Sequence, residues 1–309
     1  MKNRRFVAKC LTLAMVLALM IPAPVAAKSS GGGKLLKSVT VYSEWNQSKN
    51  RWDDMTKHDY KYNKKNYLTE IKTTRYDLMF GIPIGATQDV QKAKYKFKGK
   101  TPKSMKLKNT AGRLIDTRKY NKKGLLTQTS YSFSYTDDEG KVQGETRNAT
   151  YSYTKKGMPL AWSGSWSETY DGKTESDSGS STYTASQKKG IPSLIIESYT
   201  PNGSSTPWMM YTRFNKKGLA TEGGYVEVDS ATGVQKFERR WRVEYKSKKG
   251  KVTSATEFKA VDWDDNGNVT KEKPVSMYKF KYTKKKASKT RYFKMINDVA
   301  GFTDYFNWY

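Results

Sequence analysis

Tyr120-Asn121-Lys122-Lys123-Gly124 is the stretch whose reading decides the fold, because variants of it recur along the whole chain. They are Tyr62-Asn63-Lys64-Lys65-Asn66, Tyr153-Thr154-Lys155-Lys156-Gly157, Gln187-Lys188-Lys189-Gly190, Phe214-Asn215-Lys216-Lys217-Gly218, Lys246-Ser247-Lys248-Lys249-Gly250 and Tyr282-Thr283-Lys284-Lys285-Lys286. Phe97-Lys98-Gly99-Lys100 is a shorter relative. An aromatic, a small polar residue, two lysines and a glycine describe a strand end followed by a tight turn. Glycine supplies the positive φ that such a turn needs. A unit repeated this often predicts a repeat-built architecture.

A second class of turn alternates with the first. Asp137-Asp138-Glu139-Gly140, Asp171-Gly172, Asn202-Gly203, Asp229 to Gly233 and Asp262-Trp263-Asp264-Asp265-Asn266-Gly267 each fall between two lysine turns. Weaker turns at Asn46 to Asn50, Gly81 to Gly85 and Asn109 to Gly112 keep the parity. The segments between have period two: Tyr131, Phe133 and Tyr135 alternate with serines, and Tyr278, Phe280 and Tyr282 with lysines. Strand side chains alternate between faces, so each segment has an aromatic face and a Ser/Thr/Lys face. The prediction is all-β: an antiparallel up-and-down meander of repeated long hairpins, about 16 to 18 strands, forming a curled or rolled sheet.

Residues 1–27 read as a signal peptide. Lys2, Arg4, Arg5 and Lys9 form its basic region, Leu11 to Ile21 its apolar region, and Val25-Ala26-Ala27 a small-residue cleavage site. The single cysteine, Cys10, lies inside it, so disulfides and thiol chemistry are excluded from the rest. Residues 28–36 read as a flexible lead-in and 37–309 as a single repeat-built β domain. The expectation is a secreted, extracellular, cell-wall-associated protein.

The chain carries a net charge of +28 and a mean hydropathy of −0.84. Such a charge attracts polyanions. Strict alternation puts the lysine turns at one end of the strands. The predicted polyanion-binding rim is therefore Lys64, Lys65, Lys122, Lys123, Lys155, Lys156, Lys188, Lys189, Lys216, Lys217, Lys248, Lys249, Lys284 and Lys285. Equally, lysine-rich turns are a common way to keep strand ends soluble. The partner expected is an anionic cell-wall polymer or glycan, with a peripheral membrane or wall surface as another, and specific nucleic-acid recognition disfavoured. Trp162, Trp166, Trp241 and the paired tyrosines are assigned to the core. Trp45, Trp52, Trp208 and Trp263 lie near turns and are the candidates for stacking on sugar rings.

Chemistry finds little to build on. His58 is the one histidine and reads as an exposed strand residue. With no second histidine and no elbow serine, neither a triad nor a zinc site can be assembled. Two carboxylates would suffice for a glycosidase, but the acids cluster in turns. Asp262, Asp264 and Asn266 follow the order of a calcium loop, yet Lys273 stands where a bidentate glutamate belongs. The reading is a hairpin turn, with no metal, no cofactor and no catalytic residue.

Lys119-Tyr120-Asn121-Lys122-Lys123-Gly124-Leu125-Leu126 and Val261-Asp262-Trp263-Asp264-Asp265-Asn266-Gly267-Asn268-Val269 resemble the YD (Rhs-type) repeats of bacterial cell-surface proteins. In that family a tyrosine and an aspartate precede a glycine, then arginine or asparagine and an aliphatic residue. Here the aspartate is usually Asn or Thr. The resemblance implies a sheet of hairpins that curls on itself and a role in surface adhesion. The leading expectation is a non-enzymatic adhesion protein recognising an anionic polymer or glycan. A carbohydrate-active enzyme with unidentified carboxylates is the first alternative. An outer-membrane β-barrel is the second, suggested by the leader, the alternation and a terminal aromatic, Tyr309, after Phe306 and Trp308. It requires an outward apolar band.

Overall fold

The computed structural model describes residues 33–99, 101–155, 159–188 and 191–287. The leader and Phe306, Trp308 and Tyr309 lie outside the described residues. Among the described residues sixteen strands follow one another. The first eight are β1 (Gly33–Asn46), β2 (Arg51–Tyr62), β3 (Leu68–Met79), β4 (Ile82–Lys98), β5 (Thr101–Lys108), β6 (Leu114–Tyr120), β7 (Leu126–Thr136) and β8 (Val142–Tyr153). The rest are β9 (Pro159–Tyr170), β10 (Lys173–Lys188), β11 (Ile191–Pro201), β12 (Trp208–Phe214), β13 (Ala220–Val228), β14 (Gln235–Lys248), β15 (Lys251–Trp263) and β16 (Val269–Ala287). Each pairs antiparallel with its sequence neighbours, and β16 returns to β1, with Val39 opposite Phe280 and Val41 opposite Tyr278. The meander read from the sequence is therefore a closed barrel, which removes the exposed sheet edges of an open roll. β1 begins at Gly33, so residues 33–36 of the expected lead-in are strand, with Leu35 and Leu36 buried.

Turns of both classes share one geometry at Asn121, Asn215, Asp137 and Asp264. Asn121 Oδ1 accepts from Lys123 N at 2.9 Å and Leu125 N at 3.0 Å, while Gly124 N donates to Asn121 O. Asp137 and Asp264 do the same in their turns, with Gly140 and Gly267 in the glycine place. An Asn or Asp side chain that accepts from the backbone two and four residues on holds the turn closed. Gly124 sits at φ +77, where an L side chain would be strained. The residue after that glycine anchors the turn: Leu125 and Leu219 are buried.

The aromatic face turns into the barrel and the Ser/Thr/Lys face turns out. Tyr131 is buried, whereas Ser130, Ser132 and Ser134 are exposed. Tyr278 and Phe280 are buried between exposed Lys279 and Lys281. Burial is graded along the axis. On β7 exposure rises from 8 % at Tyr131 to 37 % at Tyr135, and on β3 from 5 % at Leu68 to 53 % at Met79. The packed interior therefore lies toward the lysine-turn end, built from Val39, Tyr60, Ile71, Met105, Leu107, Leu126, Val243 and Phe280 among others. Each such side chain contributes about 1.5–3 kcal/mol when fully buried.

Candidate functional site

Even-numbered strands end at the lysine turns, so the described lysines of the predicted rim do share one end of the barrel. Lys64, Lys65, Lys122, Lys123, Lys155, Lys216, Lys217, Lys248, Lys249, Lys284 and Lys285 are exposed there. Lys156 and Lys189, and the side chain of Lys188, lie outside the described residues. Several of these ammonium groups have a structural partner. Lys65 Nζ donates to Gly99 O at 3.1 Å, Lys123 Nζ to Lys155 O at 2.6 Å, and Lys285 Nζ to Tyr62 O at 3.2 Å. In each case one turn is tied to the next hairpin. The end is basic, but part of its charge is engaged in holding the rim together.

The opposite end carries the acidic turns at Asp137, Asp171, Asp229 and Asp264, beside turns that hold no acid. The β3–β4 hairpin closes at Phe80-Gly81, and its flanks are apolar: Met79 is 53 %, Phe80 76 %, Ile82 66 % and Ile84 63 % exposed. Phe80 adopts φ +54 and Gly81 φ +81. Two positive-φ residues in a two-residue turn favour Asn-Gly or Asp-Gly, as at Asp171-Gly172. Phenylalanine there goes against turn preference. The neighbouring β1–β2 hairpin adds Arg51, whose guanidinium lies 5.6 Å from the Phe80 ring, and the pair Trp45–Trp52 at 5.1 Å.

The four tryptophans singled out for sugar stacking differ in what they offer. Trp45 and Trp52 pack on each other. Arg240 covers Trp263 at 4.8 Å. Trp208 is 61 % exposed, edge-on to Tyr199 at 6.2 Å. At the Asp262 loop, Asp264 uses both oxygens within the turn: Oδ1 accepts from Asn266 N and Asn268 N, and Oδ2 from Asn268 Nδ2. Those three bonds hold the Asp264 carboxyl below the usual carboxylate range.

Three inward groups were not legible from the sequence. His58 reads there as exposed; it is 5 % exposed, with Nδ1 3.1 Å from Thr73 Oγ1. Burial, helped by Arg75, lowers its pKa to about 4. Both partners are buried, so the pair is structural in this arrangement. Asp116 and Arg118 form an ion pair at 2.8 Å with side chains 2 % and 6 % exposed. Burial pushes the Asp116 carboxyl up against the opposing pull of Arg118. Glu197, 2 % exposed, takes three donors on Oε1: Ser181 Oγ at 2.6 Å, Tyr183 Oη at 2.8 Å and Trp162 Nε1 at 3.3 Å. All three sit on strands whose alternation marks one face as different without saying which face is inside.

No family model matches the chain, and no curated protein does. Among solved structures, a porin-like protein from Bacteroides uniformis ATCC 8492 aligns over 80 % of this chain and 98 % of its own, at 14 % identity and a TM-score of 0.48. The YD-repeat assignment is corrected by these findings. The hairpins close on themselves into one sixteen-stranded barrel, and no model of such a repeat family is matched. The motif that suggested it is an Asx-closed turn, which turn chemistry produces by itself. The adhesion protein for anionic polymers or glycans, and the secreted, wall-associated location, fall with the assignment. Of the readings weighed from the sequence, the barrel alternative is the one whose architecture is present: sixteen antiparallel strands in up-and-down order, closed between first and last.

Proposed function

We propose that this protein is a non-enzymatic β-barrel that works at a membrane, gripping the bilayer interface with the tip of the β3–β4 hairpin. The observation that supports this most directly is Phe80, 76 % exposed at a φ that disfavours it. Residues held against local preference cluster where the strain serves a function. Met79, Ile82 and Ile84 extend the apolar tip, and Trp45, Trp52 and Arg51 beside it are the residue types that sit well at the lipid–water boundary. Arg51 is ion-paired with Asp53 at 2.8 Å, so the apolar residues of the tip carry the attachment.

Attachment by a tip, with the wall in water, also suits the wall. β6 and β12 have 7 residues each and β5 has 8, where a tilted spanning strand needs about 9–11. The outward face presents Lys57, Lys94, Lys96, Lys106, Lys279 and Lys281. Each lysine on a lipid-facing wall costs about 2–4 kcal/mol at the midplane.

The test is sedimentation of residues 28–309 with phosphatidylcholine vesicles, with and without phosphatidylglycerol. Binding should be about equal with and without phosphatidylglycerol, since the apolar tip carries it. Phe80→Asn should weaken it at least about tenfold while raising stability, because asparagine suits the turn. Unchanged binding by Phe80→Asn would overturn the tip reading. Recovery from membranes by detergent alone would identify instead a spanning, porin-like barrel, which the closed meander favours on topology.

A further inference from the structure

The outer wall is not uniform. Ile195, Trp241 and Val243 face the packed interior, so the residues next to them in sequence face out. On β11 to β15 the outward set includes Leu194, Ile196, Tyr211, Val226, Phe237 and Phe258. Cross-strand pairing joins them: Ile196 lies opposite Tyr211, Val226 opposite Phe237, and Phe258 opposite Arg242. Tyr211 is edge-on to Phe237 at 5.0 Å. Tyr211 and Val226 are buried even though they face outward, so the cluster is a packed layer on the outside of the barrel. By contrast, β7 to β10 present Ser132, Asn148, Ser165 and Thr182, and β4, β5 and β16 present lysines such as Lys94, Lys106 and Lys281.

The charge of this cluster also sets it apart. Arg213 pairs with Glu222 at 2.8 Å, Arg239 with Glu272 at 3.0 Å, and Arg242 with both Glu272 and Glu244. Three arginines thus meet three glutamates, on a chain whose net charge is +28. Two of the guanidinium groups also lie over rings, Arg213 at 4.9 Å from Phe237 and Arg242 at 4.3 Å from Phe258. Aromatic residues and arginine in place of lysine are the composition of protein contact surfaces. Two copies of a chain this basic repel each other where lysine walls meet. The balanced stretch is where that repulsion is least. An acidic partner, in turn, is drawn to the lysines and not to this wall.

We propose that the outer wall of β11 to β15 is the contact surface for a second copy of this chain, in a two-fold dimer centred on Ile196 and Phe237. A two-fold contact uses the same patch on both partners, so the patch must complement itself. An apolar centre flanked by equal numbers of arginines and glutamates meets that requirement, since each arginine of one copy finds a glutamate on the other. β3 stands opposite β11 in the sixteen-strand ring, so pairing through this wall leaves the β3–β4 tips of both copies free.

The test is sedimentation equilibrium of residues 28–309 over a concentration series, without vesicles. The protein should run as a dimer at micromolar concentration. Phe237→Lys and Ile196→Lys each bring a like charge into the contact on both sides, and each should weaken dimerisation at least about tenfold. Lysine at 196 keeps an aliphatic stem on the wall, so Ile196→Lys tests the contact even if Phe237→Lys folds poorly. Ser165→Lys, exposed on β9 outside the patch, should leave the dimer unchanged. A parent that stays monomeric at every concentration, or a dimer that Ile196→Lys does not weaken, would overturn the proposal. So would loss of vesicle binding in Ile196→Lys, which would show that this wall meets lipid. The Phe80→Asn variant should dimerise as the parent does, so the tip reading and this one fail separately.

Discussion

At the scale of single residues, an Asx side chain and a glycine write most of this structure. Asn121, Asn215, Asp137 and Asp264 close their turns alike, and their neighbours decide the charge of each end. That part was legible, since the Asn/Asp-to-Gly spacing needs no tertiary partner. Replacing Asn121 by Ala removes two accepted bonds and should destabilise the protein by about 1–2 kcal/mol, measured by urea unfolding. Chemistry at Asp264 follows the same logic. With both its oxygens committed and Lys273 in the twelfth place, 2 mM calcium (an assay condition) should leave the melting temperature unchanged, where a micromolar site would add about 4 kcal/mol. A calcium-dependent rise abolished by Asp264→Ala would show a real site. The buried ion pair was not legible, because Asp116 and Arg118 look in the sequence like two more solvated charges. Arg118→Met should cost about 3–5 kcal/mol by leaving Asp116 uncompensated, and adding Asp116→Leu should recover much of it. A double variant no better than the single would mean that the pair is not coupled.

At the scale of elements, register depends on irregularities that no turn signals. Between β13 and β14 the pairing shifts at Gly223 and Gly224. A Cβ on Gly224 would lie 1.9 Å from Glu238 O, a backbone atom that cannot swing aside. Gly224→Ala should therefore destabilise by about 1–3 kcal/mol or more, read from the denaturant midpoint. In the sequence these two glycines look like ordinary strand weaknesses. Across the bulge Trp241 faces the core while Phe237 faces out, where it meets Tyr211 and Arg213 of β12: Arg213 lies 4.9 Å from the Phe237 ring and Tyr211 packs edge-on to it at 5.0 Å. The alternation rule misplaces such residues, since a bulge moves everything beyond it to the other face.

At the scale of the whole molecule, closure was the step the sequence left open. Joining β1 to β16 depends on contacts such as Val39 with Phe280, between chain ends that nothing local relates. The same distance explains why His58 was misjudged: only a closed wall makes its face an interior. Two interior groups now oppose each other in acid. His58 has a folded pKa of about 4 against 6.5 unfolded, so the stability it leaves intact above pH 6.5 is lost as pH falls toward 4. Glu257 is raised to about 7 from 4.5, mainly by burial, so its contribution is present below 4.5 and lost as pH rises to 7. In the parent protein Glu257 should offset most of the loss that His58 alone would cause between pH 7 and 4. Glu257→Gln should expose the histidine, with stability falling by up to about 3 kcal/mol from pH 7 to 4 relative to the parent. His58→Gln should tilt the profile the other way. Parallel profiles for all three would show that neither group is held as the structure places it.

The lysine clasps between hairpins carry a consequence for reagents that acylate amines. Lys122 and Lys123 are sequence neighbours of the same type in the same turn, yet Lys123 spends its protons on the carbonyl of Lys155. An amine held against a carbonyl must leave that partner before it can reach an activated ester. Lys122 should therefore be labelled first, and Lys65 and Lys285 should lag in the same way. Residue-by-residue labelling rates would then draw the seams of the barrel, marking which neighbouring turns are stitched together, and prolonged acylation should undo the ring stitch by stitch.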